Sequence, residues 1–101
     1  MFRDMEQRQR ELQEKLSAIV IEHASDDRTI KVKINANKEI KDILISSELL
    51  EADKSEMLQD LLVVTLNEAI RKAEGKAMEE LQNELGDILP NLGGFGSPFT
   101  A

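Results

Sequence analysis

No cysteine occurs among the 101 residues. That excludes disulfides and thiolate metal sites and fits a reducing compartment. Tryptophan and tyrosine are absent too, and the three phenylalanines (Phe2, Phe95, Phe99) stand near the ends of the chain. A core must therefore be aliphatic. No apolar run approaches the roughly 20 residues that cross a bilayer, and the opening MFRDMEQRQR is too charged for a secretory leader. Positive charge is scarce: 13 Lys and Arg stand against 20 Asp and Glu, a net charge of −7. These absences predict a single cytoplasmic domain without membrane association.

What is present divides by period. Residues from about Arg3 to Ala18 read as a helix with a narrow apolar stripe, Met5, Leu12, Leu16 and Ile19, too thin for a core helix. The period then falls to two. AIVIEH is a short β-branched run, and SDDR (Ser25 to Arg28) a turn whose Asp side chains can bond local amides. TIKVKIN alternates Ile30, Val32 and Ile34 with Lys31, Lys33 and Asn35, the pattern of a half-buried strand. NANK is a second turn and EIKDILI a third strand, so the spacing predicts an antiparallel meander. In the third strand, alternation puts Ile43 and Ile45 on one face and Ile40 and Leu44, with Asp42, on the other. Apolar residues on both faces call for a second chain.

After the polar connection SSELLEADKSEM, in which Asp53 and Glu56 have capping-box spacing, a helical pattern runs to about Leu85. Its stripe is Leu58, Leu61, Leu62, Thr65, Ala69, Ala73, Ala77, Leu81 and Leu85. Val63, Leu66 and Ile70 widen it in the first half. Gly75 stands inside the helix at a cost of about 1 kcal/mol relative to Ala. Residues 90–101 contain both prolines and three of the five glycines, which predicts a flexible tail after a domain spanning 1–89.

A helix of some 33 residues is about 50 Å long, whereas a compact chain of this length has a radius of gyration of about 13 Å. The second half must project, with the first helix laid along it. The fold class is therefore α+β: an N-terminal helix, a three-stranded antiparallel meander and a long C-terminal helix. The expected dimer interface is Ile40, Leu44, Leu62, Val63, Leu66 and Ile70, and a two-fold homodimer is the commonest solution.

Catalytic chemistry finds no foothold. The single histidine, His23, reads as a partly exposed strand residue, and Asp26 and Asp27 as turn residues. Ser46, Ser47 and Ser55 have no histidine to activate them, and the glycine cluster follows no strand as a phosphate loop would. The sequence predicts no enzyme, no cofactor and no metal. Charge is the remaining signal. Residues 28–47 carry net +3, against −3 for residues 1–27 and −7 for residues 48–101. Lys31 and Lys33 have a structural reason, as the wet face of a strand guarded against edge pairing. Arg71, Lys72 and Lys76 interrupt an acidic helix, and Arg8, Arg10 and Lys15 punctuate the first one.

The ordered set MFRDMEQRQRELQEKL, IKVKINANKEIKDILISSELLEADKSEMLQDLL, LNEAIRK and LPNLGGFGSPF resembles the YbaB/EbfC family of bacterial nucleoid-associated proteins over almost the whole chain. The resemblance implies a homodimer with an intertwined β-body and two protruding helical arms like tweezers, which grips duplex DNA with little sequence preference. Of the six arm bases, only Arg71 and Lys72 fall on a family motif (Asn67, Ala69, Arg71, Lys72). Two departures matter. Ala36 follows Asn35 where the family usually has Gly, so Asn37 is expected to take the positive-φ position. Ile45-Ser46-Ser47 replaces a common Ile-Asp-Pro. Because phosphate affinity comes from Lys and Arg, the acidic balance predicts weak, strongly salt-dependent DNA binding by a local patch. The alternative is an acidic dimeric adaptor that binds a protein partner.

Overall fold

The protein, a computed structural model, is described over residues 2–88. Helix α1 spans Phe2–Ala18, strand β1 Val20–Ala24, β2 Ile30–Asn35 and β3 Ile40–Ile45. Two 3-10 turns, Ser47–Leu50 and Ala52–Lys54, lead into helix α2, Ser55–Ile88. The strands form one antiparallel sheet in the order β1-β2-β3. The expectation of a flexible tail over 90–101 falls outside the described residues.

Alternation places the apolar side of β2 as read from sequence. Asn35, read with Lys31 and Lys33 on the wet side, is instead 0% exposed, because its side chain is bonded within the following turn and to the end of α1. Ile30, Val32 and Ile34 are fully buried and Lys31 and Lys33 exposed. Against the inner face lies α2, which contributes Ala69 and Ala73 to the core, with Leu58, Leu61, Leu62, Leu66 and Ile70 packed around it. Alanine at the contact lets the helix axis approach the sheet. Leu49, in the first 3-10 turn, closes the core at one end. Asp53 sits within the second 3-10 turn, which runs straight into α2 at Ser55. The chain thus enters the helix through a tightened turn rather than through the Asp53–Glu56 capping box.

The third strand departs from simple alternation. Lys33 opposes Asp42 but Ile34 opposes Ile40, so Lys41 is an extra residue and β3 is bulged there. The bulge turns Ile40 to the inner face with Ile43 and Ile45, and leaves Leu44 alone on the outer face beside Lys31. Period-two counting puts Ile40 outside, because it cannot register an inserted residue. Both turns also use the left-handed region. Arg28 has φ 62° and Lys38 has φ 68°. The positive-φ position of the second turn therefore belongs to Lys38, not Asn37.

Helix α2 has 34 residues, about 51 Å of helix, and outruns the sheet. The extents are 59 × 36 × 15 Å and the radius of gyration 18.5 Å, well above the roughly 13 Å of a compact chain. Ala73 is the last fully buried residue of α2 among those whose burial is described. Beyond it the helix projects, with α1 running antiparallel along it through Leu12, Leu16, Ala77 and Leu81.

Candidate nucleic-acid interface

The projecting part of α2 and the helix α1 together make an arm, and its bases divide into two groups. Lys15 on α1 reaches across to α2, with its Nζ 3.1 Å from Glu80 and 3.9 Å from Glu84. Lys76 lies 3.6 Å from Glu79 and 3.7 Å from the same Glu80. The Glu80 side chain is only 13% exposed, so it holds two cations at the helix–helix seam. Lys15 thus clips α1 to α2, while Lys76 is paired within α2 itself. Arg8, Arg10, Arg71 and Lys72 are exposed, and among the described residues no carboxylate lies within ion-pair distance of any of them. Of the six bases expected from sequence, four keep their charge available.

Their positions follow from the helices. Arg71 and Lys72 fall between the buried Ala69 and Ala73, where α2 leaves the sheet. They stand at the base of the arm. Because α1 runs antiparallel to α2, with Leu12 beside Leu81, Arg8 and Arg10 lie further out, roughly 15 to 20 Å along the arm. The arm therefore carries free cations near both of its ends.

The competing patch on the outer sheet face is weaker than its composition suggests. Lys33 is 3.7 Å from Glu22 on one neighbouring strand and opposite Asp42 on the other. It forms an exposed ion pair with Glu22, and Asp42 faces it in the register without an ion pair among the described residues. Lys31 is flanked by Ala24 and Leu44 and keeps its charge. Sequence showed the lysines but not their cross-strand partners, which depend on register.

Polar groups elsewhere serve the fold. In the first turn, Asp27 Oδ1 accepts hydrogen bonds from the Thr29 hydroxyl (2.6 Å), the Thr29 amide (3.1 Å) and the Ser25 hydroxyl (2.9 Å). Those donors, the Thr29 hydroxyl foremost, hold its carboxyl below the usual range. His23 differs from expectation. It lies on the inner face opposite Val32, its side chain only 11% exposed, with Nε2 3.2 Å from Glu68 Oε1 on α2. Its Nδ1 and the Thr65 hydroxyl are buried without a hydrogen-bond partner among the described residues. Sequence spacing could not pair residues 23 and 68. Among the described residues, no group of three or more His, Asp or Glu is placed to hold a metal ion.

The six expected interface residues also sort themselves. The His23–Glu68 pair places that side of α2 over β1, and the helix packs on β2 and β1 while hardly reaching β3. The inner face of β3 is left uncovered, with Ile40 42% and Ile43 37% exposed. On the adjoining side of α2 lie Val63, 61% exposed, and the half-buried Leu66 and Ile70. Leu62 is turned toward the core and Leu44 toward the outer face. Ile40, Val63, Leu66 and Ile70 thus line one apolar face, and Ile43, not expected from sequence, belongs with them.

A family model for the YbaB/EbfC DNA-binding family matches residues 1–88. This chain belongs to that family. It is a DNA-binding family, not an enzyme family. The chain is 39% identical over 88 residues to a nucleoid-associated protein of Chloroflexus aurantiacus, covering 87% of this chain and 88% of that protein. It is 38% identical over 99 residues to one of Acetivibrio thermocellus, covering 98% and 80% of the two chains. The fold is shared with an uncharacterised Helicobacter pylori protein of known crystal structure. That match has a TM-score of 0.72 at 25% identity and covers 84% of this chain and 89% of the other.

Proposed function

We propose that this member of the family is a homodimer that acts at the nucleoid, as the names of its relatives imply, and grips duplex DNA through phosphate contacts from its two helical arms. The observation that carries the reading is the pair Arg71 and Lys72. They are unpaired and exposed at the root of a projecting element, on the family motif, whereas the strand lysine Lys33 is engaged in an exposed ion pair with Glu22. Arg8 and Arg10 add exposed, unpaired bases further out on α1. Duplex DNA presents a negative charge about every 1.7 Å of its axis, so bases on the arm meet phosphates in any sequence. Contacts to phosphates carry no sequence information, so the recognition proposed is of backbone charge and shape.

The uncovered apolar face of β3 and α2 supports the dimer, since a soluble monomer rarely leaves such a patch open. A two-fold axis at that face presents two arms from one body.

The test is a mobility-shift titration at two salt concentrations. Arg71→Glu with Lys72→Glu abolishes binding and leaves the dimer intact. Lys31→Gln with Lys33→Gln weakens binding far less. The log–log salt slope falls by about 0.9 for every phosphate no longer neutralised. Loss of binding in the strand variant with retention in the arm variant moves the site to the sheet. A second reading, an adaptor for a basic protein, is favoured by one segment. Between Glu48 and Asp60 five acids face one lysine, beside the exposed Leu50 and Met57. Failure of wild-type protein to shift DNA at low salt transfers the proposal to that surface.

A further inference from the structure

Helix α1 is poorly held by α2. Its stripe is narrow, Leu12 and Leu16 are half-buried, and Met5 is 60% exposed. The Lys15 side chain is itself 50% exposed, and exposed ion pairs contribute only about 0.2 to 1 kcal/mol. Such packing leaves the direction of the helix loosely determined. A helix that presents phosphate contacts needs a firmer mount.

That mount is the β2–β3 turn, residues Asn35 to Glu39. The last turn of an α-helix leaves carbonyls without intrahelical donors. Leu16 O accepts from the nearby Ile19 amide at 3.2 Å, and further donors come from a different part of the chain. The Ala36 amide donates to Leu16 O and Ile19 O, both at 3.1 Å. Asn35 Nδ2 donates to Ser17 O at 3.4 Å. Asn37 Nδ2 donates to Gln13 O at 2.9 Å and to Ser17 Oγ at 2.7 Å. The turn is also bonded within itself. Asn35 Oδ1 accepts from the amides of Asn37 (3.1 Å) and Glu39 (2.9 Å), and its Nδ2 also donates to Glu39 Oε1 at 2.7 Å. Asn35 and Ala36 are 0% and 1% exposed, and hydrogen bonds shielded from water are the costlier to break. Asn37 alone spans a full helical turn, from Ser17 back to Gln13, and so fixes the rotation of α1 about its axis as well as its tilt.

We propose that this turn is the seat that aims α1, and that Asn37 is the positioning residue for the phosphate-contacting Arg8 and Arg10. The proposal rests on the DNA-binding reading above. The lever arm sets the magnitude. From Ser17 to Arg8 is about 13 to 14 Å of helix, so a tilt of about 20° at the seat moves Arg8 by about 5 Å. That exceeds the reach of an ion pair and removes the contact without unfolding anything.

The experiment compares full-length wild type with Asn37→Ala and with the near-isosteric Asn37→Asp, which lacks the N–H donors. Amide hydrogen exchange is read on α1, β2 and α2, and the salt dependence of affinity is read on a random-sequence duplex. Both variants are expected to lose tenfold or more of the protection of α1 amides while β2 and the buried part of α2 keep theirs. Their log–log salt slope is expected to fall by about 0.9 for each phosphate given up, matching Arg8→Gln with Arg10→Gln. Adding those two substitutions to Asn37→Ala is expected to lower the slope no further. A role confined to stability would leave the slope at its wild-type value, and that result overturns the proposal. So does unchanged protection of α1, or a full additive effect of the arginine substitutions in the Asn37→Ala background. Should Asn37→Ala fail to fold, Ser17→Ala removes one of the two acceptors and is expected to give an intermediate loss of slope; a wild-type slope there is equally fatal. Absence of any DNA shift by wild type at low salt overturns the DNA reading itself, and the exchange data alone then decide whether the turn seats the helix.

Discussion

Two residues sit in backbone conformations that their side chains oppose. A non-glycine residue in the left-handed region pays about 1 to 2 kcal/mol. Lys38, at φ 68° and exposed, forms no ion pair among the described residues. Glycine there relieves the strain but loses more backbone entropy on folding, roughly 0.5 to 1 kcal/mol. Lys38→Gly is therefore expected to raise stability by about 0.5 kcal/mol, read as a higher urea midpoint at unchanged slope. Asp27 makes the other residue-scale prediction. Its carboxylate is favoured in the folded turn by the Thr29 and Ser25 donors. A carboxyl whose folded value lies below its ordinary 3.8 contributes stability above that pH and loses it as pH falls through the lower folded value. Asp27→Asn should thus flatten the acid limb of the stability curve below pH 4 and lower stability at pH 7. Identical pH profiles for the two proteins would contradict this account of the turn. Asp27 was legible as a turn residue because Asp bonds amides two residues on. Lys38 was not, because Asn tolerates the left-handed region better than Lys, and the engagement of the Asn37 side chain with Gln13 and Ser17 is visible only in the fold.

At the scale of the element, α2 does two jobs along one length. Its first half packs on the sheet and its second half is the arm. Gly75 lies just beyond the last buried alanine, is exposed, and has no atom within 4 Å of the place where a Cβ would stand. Nothing steric requires glycine there. Gly75→Ala should stabilise the helix by about 1 kcal/mol and raise protection of arm amides in hydrogen exchange. A loss of stability would mean that a contact absent from the single chain, such as one from a partner, fills that space. The apolar period showed this helix and its narrowing plainly. It did not show that Lys15 and Lys76 share Glu80, since the pairing of residue 15 with residue 80 depends on how α1 folds back. Sequence therefore counted six available bases where the folded arm offers four.

At the scale of the whole molecule, the unoccupied feature is the apolar face of Ile40, Ile43, Val63, Leu66 and Ile70. Leu66 and Ile70 also support the protomer's own core, so a charge there harms folding and assembly together. Val63 is 61% exposed in the single chain and separates the two. Val63→Asp costs little in an isolated protomer but buries an unpaired charge in a dimer formed through this face. Sedimentation is expected to show a dimer for wild type at micromolar concentration and a monomer, or a dimer weakened by orders of magnitude, for Val63→Asp. A wild-type monomer, or a variant that assembles as well as wild type, removes this face as the interface.

The sequence by itself determined the order of elements, the buried face of β2, the projection of α2 and the family. Each rests on a local period, on chain length or on an ordered set of motifs, and local patterns survive without knowledge of the fold. Tertiary structure alone decided which charges remain available, which face Ile40 joins and what holds α1. Lys33 meets Glu22 only because of strand register. Ile40 turns inward only because Lys41 is inserted. Asn37 reaches Gln13 only because the turn and the helix end meet in space. The physical reason is common to all three. Hydrogen bonds and ion pairs act over a few ångströms, and residues 13 and 37, or 15 and 80, come that close only after the chain has folded.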